Sequence, residues 1–157
     1  MKVNSDLRVR IVEMITKAKE GHIPSSFSII DTLNFIYEKI LKYDPKNPKW
    51  KDRDYFILSK GHGAAALFAV FEKFNILKKN DINNYSNSTG IIGGHPDSIN
   101  VPGAEASTGS LGHGFPFSVG IAMGLKIKKQ LNKVFCLVGD GECQEGTIWE
   151  SANIAAN

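Results

Sequence analysis

The sequence has few of the features that mark secreted or membrane proteins. Its 157 residues include only two cysteines, Cys136 and Cys143. Two cysteines cannot build a disulfide framework, and Cys136 lies in an apolar run typical of a buried strand, which favours a reducing compartment. No run reaches the ~18 apolar residues of a membrane-spanning helix, and the start MKVNSDLRVR has no apolar signal core. These absences predict a cytoplasmic protein that does not enter a membrane.

An excess of one charge is also missing. Lysine and arginine number 19 against 16 aspartates and glutamates, and the lysines are dispersed along the chain. This balance gives no argument for nucleic acid or a membrane surface as a partner, although a net charge of +3 suits a small anionic ligand. No internal repeat or low-complexity linker divides the chain, so residues 1–157 are expected to form one domain with a sizeable core.

Helical and strand patterns alternate along the chain. Helical spacing of apolar residues follows Ser5 and ends at Gly21, and recurs from about Ser28 to Leu41, in GHGAAALFAVFEKF, from Phe115 to about Gln130, and from Glu145 to Ala156. The short runs YFIL and KVFCLV are typical of buried strands. The alternation predicts an α/β fold, a parallel sheet with helices on both faces. In the helix after Phe115, the residues expected to face inward include Val119, Ala122, Met123 and Ile127.

Two turns follow directly after the predicted strands. Ser59–His62 follows the first and Gly139–Glu145 follows the second. Ligands of parallel sheets bind outside the carboxyl ends of the strands, so the two turns are expected to share one crevice. The stretch between 87 and 114 is irregular and rich in Gly, Ser, Thr and Pro, and loops of that length in compact domains are usually functional or disordered.

The second turn contains Asp140 between two glycines. Gly139 and Gly141 allow the backbone to approach a ligand closely. A carboxylate at this position can hold Mg²⁺, which bridges to phosphate oxygens, and the amides around Gly141 and Glu142 can point at the same phosphate. A plain turn with a helix-capping aspartate has the same tripeptide, so GDG alone leaves both interpretations open.

All four histidines lie in or beside glycine-rich stretches: His22 in GHIPSS, His62 in SKGHGAA, His95 in GGHPD and His113 in SLGHG. An imidazole so placed can bind phosphate oxygens, donate to sugar hydroxyls or move protons near neutral pH. Any one of these histidines taken alone is better explained by an exposed or capping role, and only the occurrence of all four beside glycines favours a site. A zinc site is not indicated, because no spacing matches a paired His or Cys ligand motif.

Two further features allow more than one interpretation. STGSLGHG precedes a helix but is not the dinucleotide fingerprint. It can form a loop lying flat against a planar ligand, with Leu111 supplying an apolar contact. Glu145 and Glu150 flank Trp149 at the last helix, where carboxylates also occur simply as solvated residues that favour a helix N-terminus.

Five ordered stretches resemble the N-terminal region of transketolases: GHIPSS, DPKNPKWKDRDYFILSKGHGAAALFAVF, GGHPD, ASTGSLGHGFPFSVGIAMGLK and VGDGECQEGTIWESA. The resemblance runs from about Arg8 to Asn157 and is closest to the free-standing N-terminal subunit of two-chain transketolases. It implies the pyrophosphate-binding domain of the thiamine diphosphate-binding fold. It also implies thiamine diphosphate and Mg²⁺ (or Ca²⁺) as cofactors.

The resemblance carries cofactor-binding roles onto individual positions. Asp140 matches the aspartate that holds the metal, Gly141 the glycine whose amide meets the diphosphate, and His62 a histidine that contacts the diphosphate. Gly109 and Leu111 match residues that line the aminopyrimidine or thiazolium ring. The remaining residues assigned to cofactor binding on this basis are Ser110, Gly139 and Glu142.

Catalytic roles are implied for three residues. His22 and His95 match histidines that contact the hydroxyls of the sugar substrate near the reactive carbon. Glu145 matches a glutamate at the subunit interface, near the catalytic glutamate of the partner chain. His113 stands where many members have Gln, and Ser110 where many have Pro, so the resemblance does not fix the sugar.

The metal site implied by the family is incomplete in this sequence. A second ligand, an asparagine carbonyl, is expected roughly 25–30 residues after the aspartate. Asn157 follows Asp140 by only 157 − 140 = 17 positions. The second ligand is therefore expected beyond Asn157, and the domain is expected to be truncated at its C-terminal end.

The function implied is that of the N-terminal subunit of a thiamine diphosphate- and Mg-dependent transketolase, which moves a two-carbon ketol unit between sugar phosphates. The activating glutamate would come from the pyrimidine-binding domain of a C-terminal partner subunit, in a dimer or heterotetramer. A decarboxylating relative (a 1-deoxyxylulose-5-phosphate synthase or a 2-oxo acid dehydrogenase component) and a non-catalytic structural subunit are the alternatives. His22 and His95 favour sugar hydroxyls over a simple oxo acid.

Overall fold

The computed structural model describes residues 4–156, where helices surround a short parallel sheet. The helices are α1 (Ser5–Ala18), α2 (Ile23–Phe27), α3 (Ile30–Phe35), α4 (Ala64–Lys73), α5 (Lys79–Asn83), α6 (Gly114–Ile127) and α7 (Gly146–Ala156). The strands are β1 (Tyr55–Leu58) and β2 (Val134–Leu137). None of the helices formed by residues 4–156 combines the length and apolarity that crossing a bilayer requires.

The two predicted strands pair in parallel, as the sequence indicated. Phe56 is in register with Phe135, and Leu58 with Leu137. The pairing continues one residue further, because the Ser59 amide donates to the Leu137 carbonyl at 2.9 Å. The carboxyl ends of both strands therefore emerge at the same edge of the sheet, and the chain segments that follow them start side by side.

Helices cover both faces of the sheet, which confirms the predicted α/β architecture. On one face, Phe56 and Leu58 join a buried cluster with α1, α3 and α4. Helix α4 is apolar on all sides because it contacts α1, α2 and α3, and its eight residues from Ala64 to Phe71 are all buried. On the other face, α6 approaches β2, and the Ser118 hydroxyl lies within hydrogen-bonding reach of the Cys136 thiol.

The predicted helix over 28–41 is only partly regular. The chain forms the separate short helix α2, with Pro24 in its first turn, and then α3. Proline favours that position because the first helical amides have no intrahelical acceptor to lose. The following residues, Ile36–Ile40, form a single π-helical turn. Helix α3 and the π turn together fill most of the predicted range, but the separate helix α2 before it and the change of pitch were not predicted.

The predicted inward face of α6 is wrong. Met123 and Ile127 are 45% and 79% exposed, and Gly114, Ser118 and Leu125 are the buried residues. Because α6 is apolar on almost every side, periodicity could not select a face. At the start of α6 the backbone comes close to the end of β1, because a Cβ on Gly114 would lie only 2.6 Å from Cα of Ser59. The strand containing Cys136 is likewise half-buried rather than fully buried.

Candidate active site

Three segments converge at the carboxyl edge of the sheet. They are the β1 turn (59–63), the long loop (87–113) and the β2 turn (138–145). One carboxylate joins all three. Oε1 of Glu142 accepts hydrogen bonds from the Ser59 hydroxyl at 2.5 Å and from the Gly112 amide at 2.9 Å, and Oε2 accepts one from the Gly139 amide at 3.0 Å. The two turns that follow the strands therefore lie together at this edge, as the topology predicted.

The β1 turn and the long loop are in direct backbone contact. A Cβ placed on Gly61 would lie 2.6 Å from the carbonyl carbon and oxygen of Thr108, so only glycine fits there. The Thr108 hydroxyl donates to the Leu58 carbonyl at 2.6 Å, which ties the loop to the end of β1. A Cβ on Gly109 would lie 3.1 Å from Cδ2 of His95. The long loop therefore folds the GGHPD histidine back over its own STGS segment.

Three of the four histidines gather at this edge. The ring centroids of His22 and His62 are 5.5 Å apart, in an edge-to-face arrangement. His22 and His95 are exposed, whereas His62 is half-buried. Burial lowers the pKa of His62, and the nearby Lys60, His22 and His95 lower it further, against the opposing field of Glu142. The lowered pKa favours the neutral imidazole of His62, which can donate one ring N–H to an anion.

The fourth histidine makes a local contact. Nδ1 of His113 lies 3.0 Å from the Leu111 carbonyl, and its side chain is exposed. In the same loop Ser110 is exposed and Leu111 is 37% exposed. Gly112 has φ +80°, and Thr147 at the start of α7 donates to its carbonyl at 2.8 Å. The loop thus presents Ser110 and Leu111 outward while α7 fixes it from behind.

The β2 turn places Asp140 in the open. Its side chain is exposed, and it precedes a 3₁₀ turn, Gly141–Gln144. A Cβ on Gly141 would meet no atom within 4 Å, so space for a ligand lies directly beside the carboxylate. No group of three His, Cys, Asp or Glu side chains within residues 4–156 is arranged to hold a metal ion by itself. Asp140 could supply one metal ligand, and other ligands would have to come from elsewhere.

The sequence did not predict the environment of two site residues, Glu142 and Lys60. The cofactor contact expected of the Glu142 amide stays a prediction, whereas its side chain, in a residue only 2% exposed, accepts three hydrogen bonds from protein donors that the sequence did not predict. Lys60 was not assigned at all, yet it is only 7% exposed and its Nζ lies 3.3 Å from the Ser28 hydroxyl. The position of Lys60, between the end of a buried strand and a glycine, is the sequence feature that could have predicted a buried cation.

Glu145 lies beside the long loop and is exposed. Its Cβ would be 2.8 Å from a Cβ placed on Gly112, so it borders the same loop from the side of α7. Its predicted position at a subunit interface stays a prediction.

Comparison with known proteins agrees with this geometry. Residues 1–157 match the family model "Transketolase, thiamine diphosphate binding domain". One subunit of the apulose-4-phosphate transketolase of Phocaeicola vulgatus is 41% identical over 145 residues, covering 92% of this chain and 51% of the relative. The 6-deoxy-6-sulfo-D-fructose transketolase subunit SqwG of a Clostridium species is 36% identical over 149 residues, covering 95% and 54%.

Solved structures show the same likeness. A transketolase from Campylobacter jejuni superposes with a TM-score of 0.84 at 31% identity, covering 98% of this chain and 26% of that one. Transketolase from Leishmania mexicana gives 0.82 at 26% identity, covering 94% and 24%. The chain spans about half the length of the two curated subunits and about a quarter of these structures. The family model and these relatives show that the chain belongs to the transketolase family and matches its thiamine diphosphate-binding domain.

Proposed function

We propose that this chain is the cofactor-binding part of a transketolase that transfers a two-carbon ketol unit between sugar phosphates. The observation that carries the proposal is the grouping of three histidines at the sheet edge where Asp140 stands exposed. Ligands of parallel sheets bind at this edge. Relatives named as transketolase subunits support the proposal, although the chain spans only part of their length.

The residues present fit thiamine diphosphate with Mg²⁺ or Ca²⁺. Asp140 offers the carboxylate oxygen that such hard cations prefer, and the open backbone at Gly141 leaves room for a phosphate. Lys60 lies beside the same turn, since a Cβ on Gly139 would be 3.5 Å from its Cδ. The Lys60 ammonium and the His62 N–H supply positive charge and a donor for a diphosphate. When bound, the cofactor supplies an electron sink for the substrate carbanion.

His22 and His95 are proposed to bind and orient the sugar. Both are exposed, while His62 is half-buried, with its ring 5.5 Å from that of His22. An exposed imidazole can donate to a hydroxyl and accept its proton without leaving its place. Two such groups suit a substrate with neighbouring hydroxyls, which favours a ketose donor over a simple oxo acid. Gly109 and Leu111 would contact the flat rings of the cofactor from the long loop.

A partner is proposed to complete the site. The activating glutamate of the family would come from a C-terminal subunit with the pyrimidine-binding domain, and exposed Glu145 would face it across the interface. The assembly would be a dimer or heterotetramer in the cytoplasm. The expected consequence is that this subunit purified alone, with excess cofactor and Mg²⁺, transfers no ketol unit, and that adding the partner restores turnover.

Replacing Asp140 tests the cofactor site. Calorimetric titration of thiamine diphosphate into the full-length subunit with its partner, at saturating Mg²⁺, should show affinity lost in Asp140→Ala. Asp52→Ala is the matched control, because Asp52 is an exposed aspartate in the turn before β1. Unchanged affinity in the Asp140 variant would reject the metal-binding role.

Replacing two histidines separately tests the division of roles. Because His95 is exposed, His95→Ala should lower kcat/KM for the ketose donor, by ~10²–10⁴-fold if it moves a proton, and should leave cofactor affinity intact. His62→Ala should instead raise the cofactor concentration needed for half-maximal activity. If His95→Ala abolishes cofactor binding and leaves donor kinetics untouched, the GGHPD loop belongs to the cofactor cradle.

A further inference from the structure

We infer that Glu142 is a positioning residue, whose buried carboxylate holds the β1 turn, the long loop and the β2 turn in the arrangement that binds the cofactor. The inference rests on the proposed function and adds a side chain that acts through its neighbours, not by touching cofactor or substrate. It differs from the role expected from the sequence, in which the backbone amide of Glu142 was to face a phosphate.

The positions of the three groups that donate hydrogen bonds to Glu142 support the inference. Ser59 begins the turn that carries Lys60 and His62, and Gly139 directly precedes Asp140. The third donor, the Gly112 amide, follows the segment Gly109–Leu111 in the long loop. Each hydrogen bond of Glu142 therefore holds a segment that carries a proposed cofactor contact, and a displacement of the carboxylate would move all three.

The second support is chemical. A carboxylate that is 2% exposed is costly unless its oxygens are hydrogen-bonded, and here one hydroxyl and two amides satisfy it. Hydrogen bonds to an ionised acceptor are roughly twice as strong as neutral ones. Thr108 and Thr147 also tether the long loop, but each joins it to one neighbour only. The hydrogen bonds of Glu142 reach all three segments at once.

The same geometry limits what this side chain can bind and which side chain can replace it. Its two oxygens already accept three hydrogen bonds from protein donors, which leaves at most one lone pair, on Oε2, for any other partner. All three partners are donors, so the site requires an acceptor at both oxygens. Glutamine has the same shape but would turn an NH₂ group toward one of those donors, and the isosteric change Glu142→Gln is therefore disruptive.

The test uses the full-length subunit with its partner, titrated with thiamine diphosphate at saturating Mg²⁺ in a calorimeter. Glu142→Gln should raise the dissociation constant by about tenfold or more, as expected for losing a charge-assisted buried hydrogen bond. At saturating cofactor the KM for the ketose donor should change by a smaller factor than the dissociation constant of the cofactor, because His22 lies outside all three segments and His95 stands 17 residues before Gly112 in the long loop. Glu13→Gln, the same change on α1 at a side chain that is 58% exposed, is the matched control and should bind like wild type.

Ser59→Ala keeps the inference testable if Glu142→Gln does not fold. It removes one of the three bonds and should raise the dissociation constant about threefold or more. The double variant should bind no more weakly than Glu142→Gln alone, because Ser59 is inferred to act through Glu142. Wild-type affinity in Ser59→Ala, or fully additive losses in the double variant, would overturn the inference while leaving the proposed function standing. Failure of the wild-type complex to bind thiamine diphosphate would overturn both.

Discussion

Gly61 offers a sharp perturbation of the contact between the β1 turn and the long loop. In Gly61→Ala the new Cβ would lie 2.6 Å from the carbonyl carbon and oxygen of Thr108 and 2.8 Å from the Gly109 amide nitrogen, whereas ordinary contact begins at 3.4 Å. All three atoms belong to the backbone, so no side chain can rotate away. The two segments must separate by about 0.8 Å at their closest point, or strain where they are.

Overpacking of this kind typically costs about 1–3 kcal/mol. For a domain of this length each kcal/mol lowers the unfolding midpoint by about 2–4 °C, so Gly61→Ala should unfold about 2–12 °C below wild type. Because Gly61 is next to His62, and Gly109 contacts His95, the separation should also weaken thiamine diphosphate binding.

The measurement is thermal unfolding followed by circular dichroism, together with calorimetric titration of the cofactor into the complex with the partner. Gly93→Ala is the matched control, because a Cβ there would meet nothing within 4 Å and its φ is not positive. An unfolding midpoint and a cofactor affinity in Gly61→Ala equal to those of Gly93→Ala would show that the two segments are not packed as described.

Three further predictions follow from buried groups. Burial raises the pKa of Cys136 to about 11, which lowers its thiolate fraction at pH 8. In a Cys143→Ser background, a thiol reagent at pH 8 should therefore label Cys136 at least about a hundredfold more slowly in the native protein than in the unfolded one. Equal labelling rates would contradict the burial of Cys136. The Asp54 carboxylate accepts hydrogen bonds from the backbone amides of Lys133, which precedes β2, at 2.7 Å and of Lys42 at 3.0 Å. Asp54→Asn should therefore lower the free energy of unfolding by about 1–3 kcal/mol in a denaturant titration, and an unchanged midpoint would refute this. Burial and the nearby Lys60 lower the pKa of His62, so its NMR titration should have a midpoint below 6.5, and a midpoint above 6.5 would contradict the prediction. Because the unfolded chain then binds this proton more readily than the folded chain, the contribution of His62 to the free energy of unfolding should be complete above pH 6.5 and should fall as the pH drops below that value.

Local patterns were enough to predict the elements that hold the site. YFIL and KVFCLV are short, apolar and bounded by polar turns, and a chain with such runs between helical patterns has few ways to bury them other than a covered parallel sheet. The position of the two turns followed from that topology, because parallel strands end at a common edge. Asp140 between two glycines was accordingly expected at the edge where the structure has it.

Patterns failed where several faces of an element were equally apolar. In α6 the sequence offers apolar residues around most of the helix, and the larger ones, Met123 and Ile127, were expected inside. The structure instead buries Gly114, Ser118 and Leu125. The π turn at Ile36–Ile40 and the break before α3 likewise depend on neighbouring helices, which a local pattern does not contain.

The sequence by itself determined the family, the order of the elements and which polar residues stand at the strand ends, since these depend on residue types and their spacing along one chain. The tertiary structure alone decided what those residues do to one another. It placed His22 5.5 Å from His62, buried Lys60, and turned the Glu142 carboxylate inward onto donors that lie 30 and 83 residues away in sequence. Hydrogen bonds and electrostatic fields depend on distances in space, and distances between remote segments exist only once the sheet and its helices have packed.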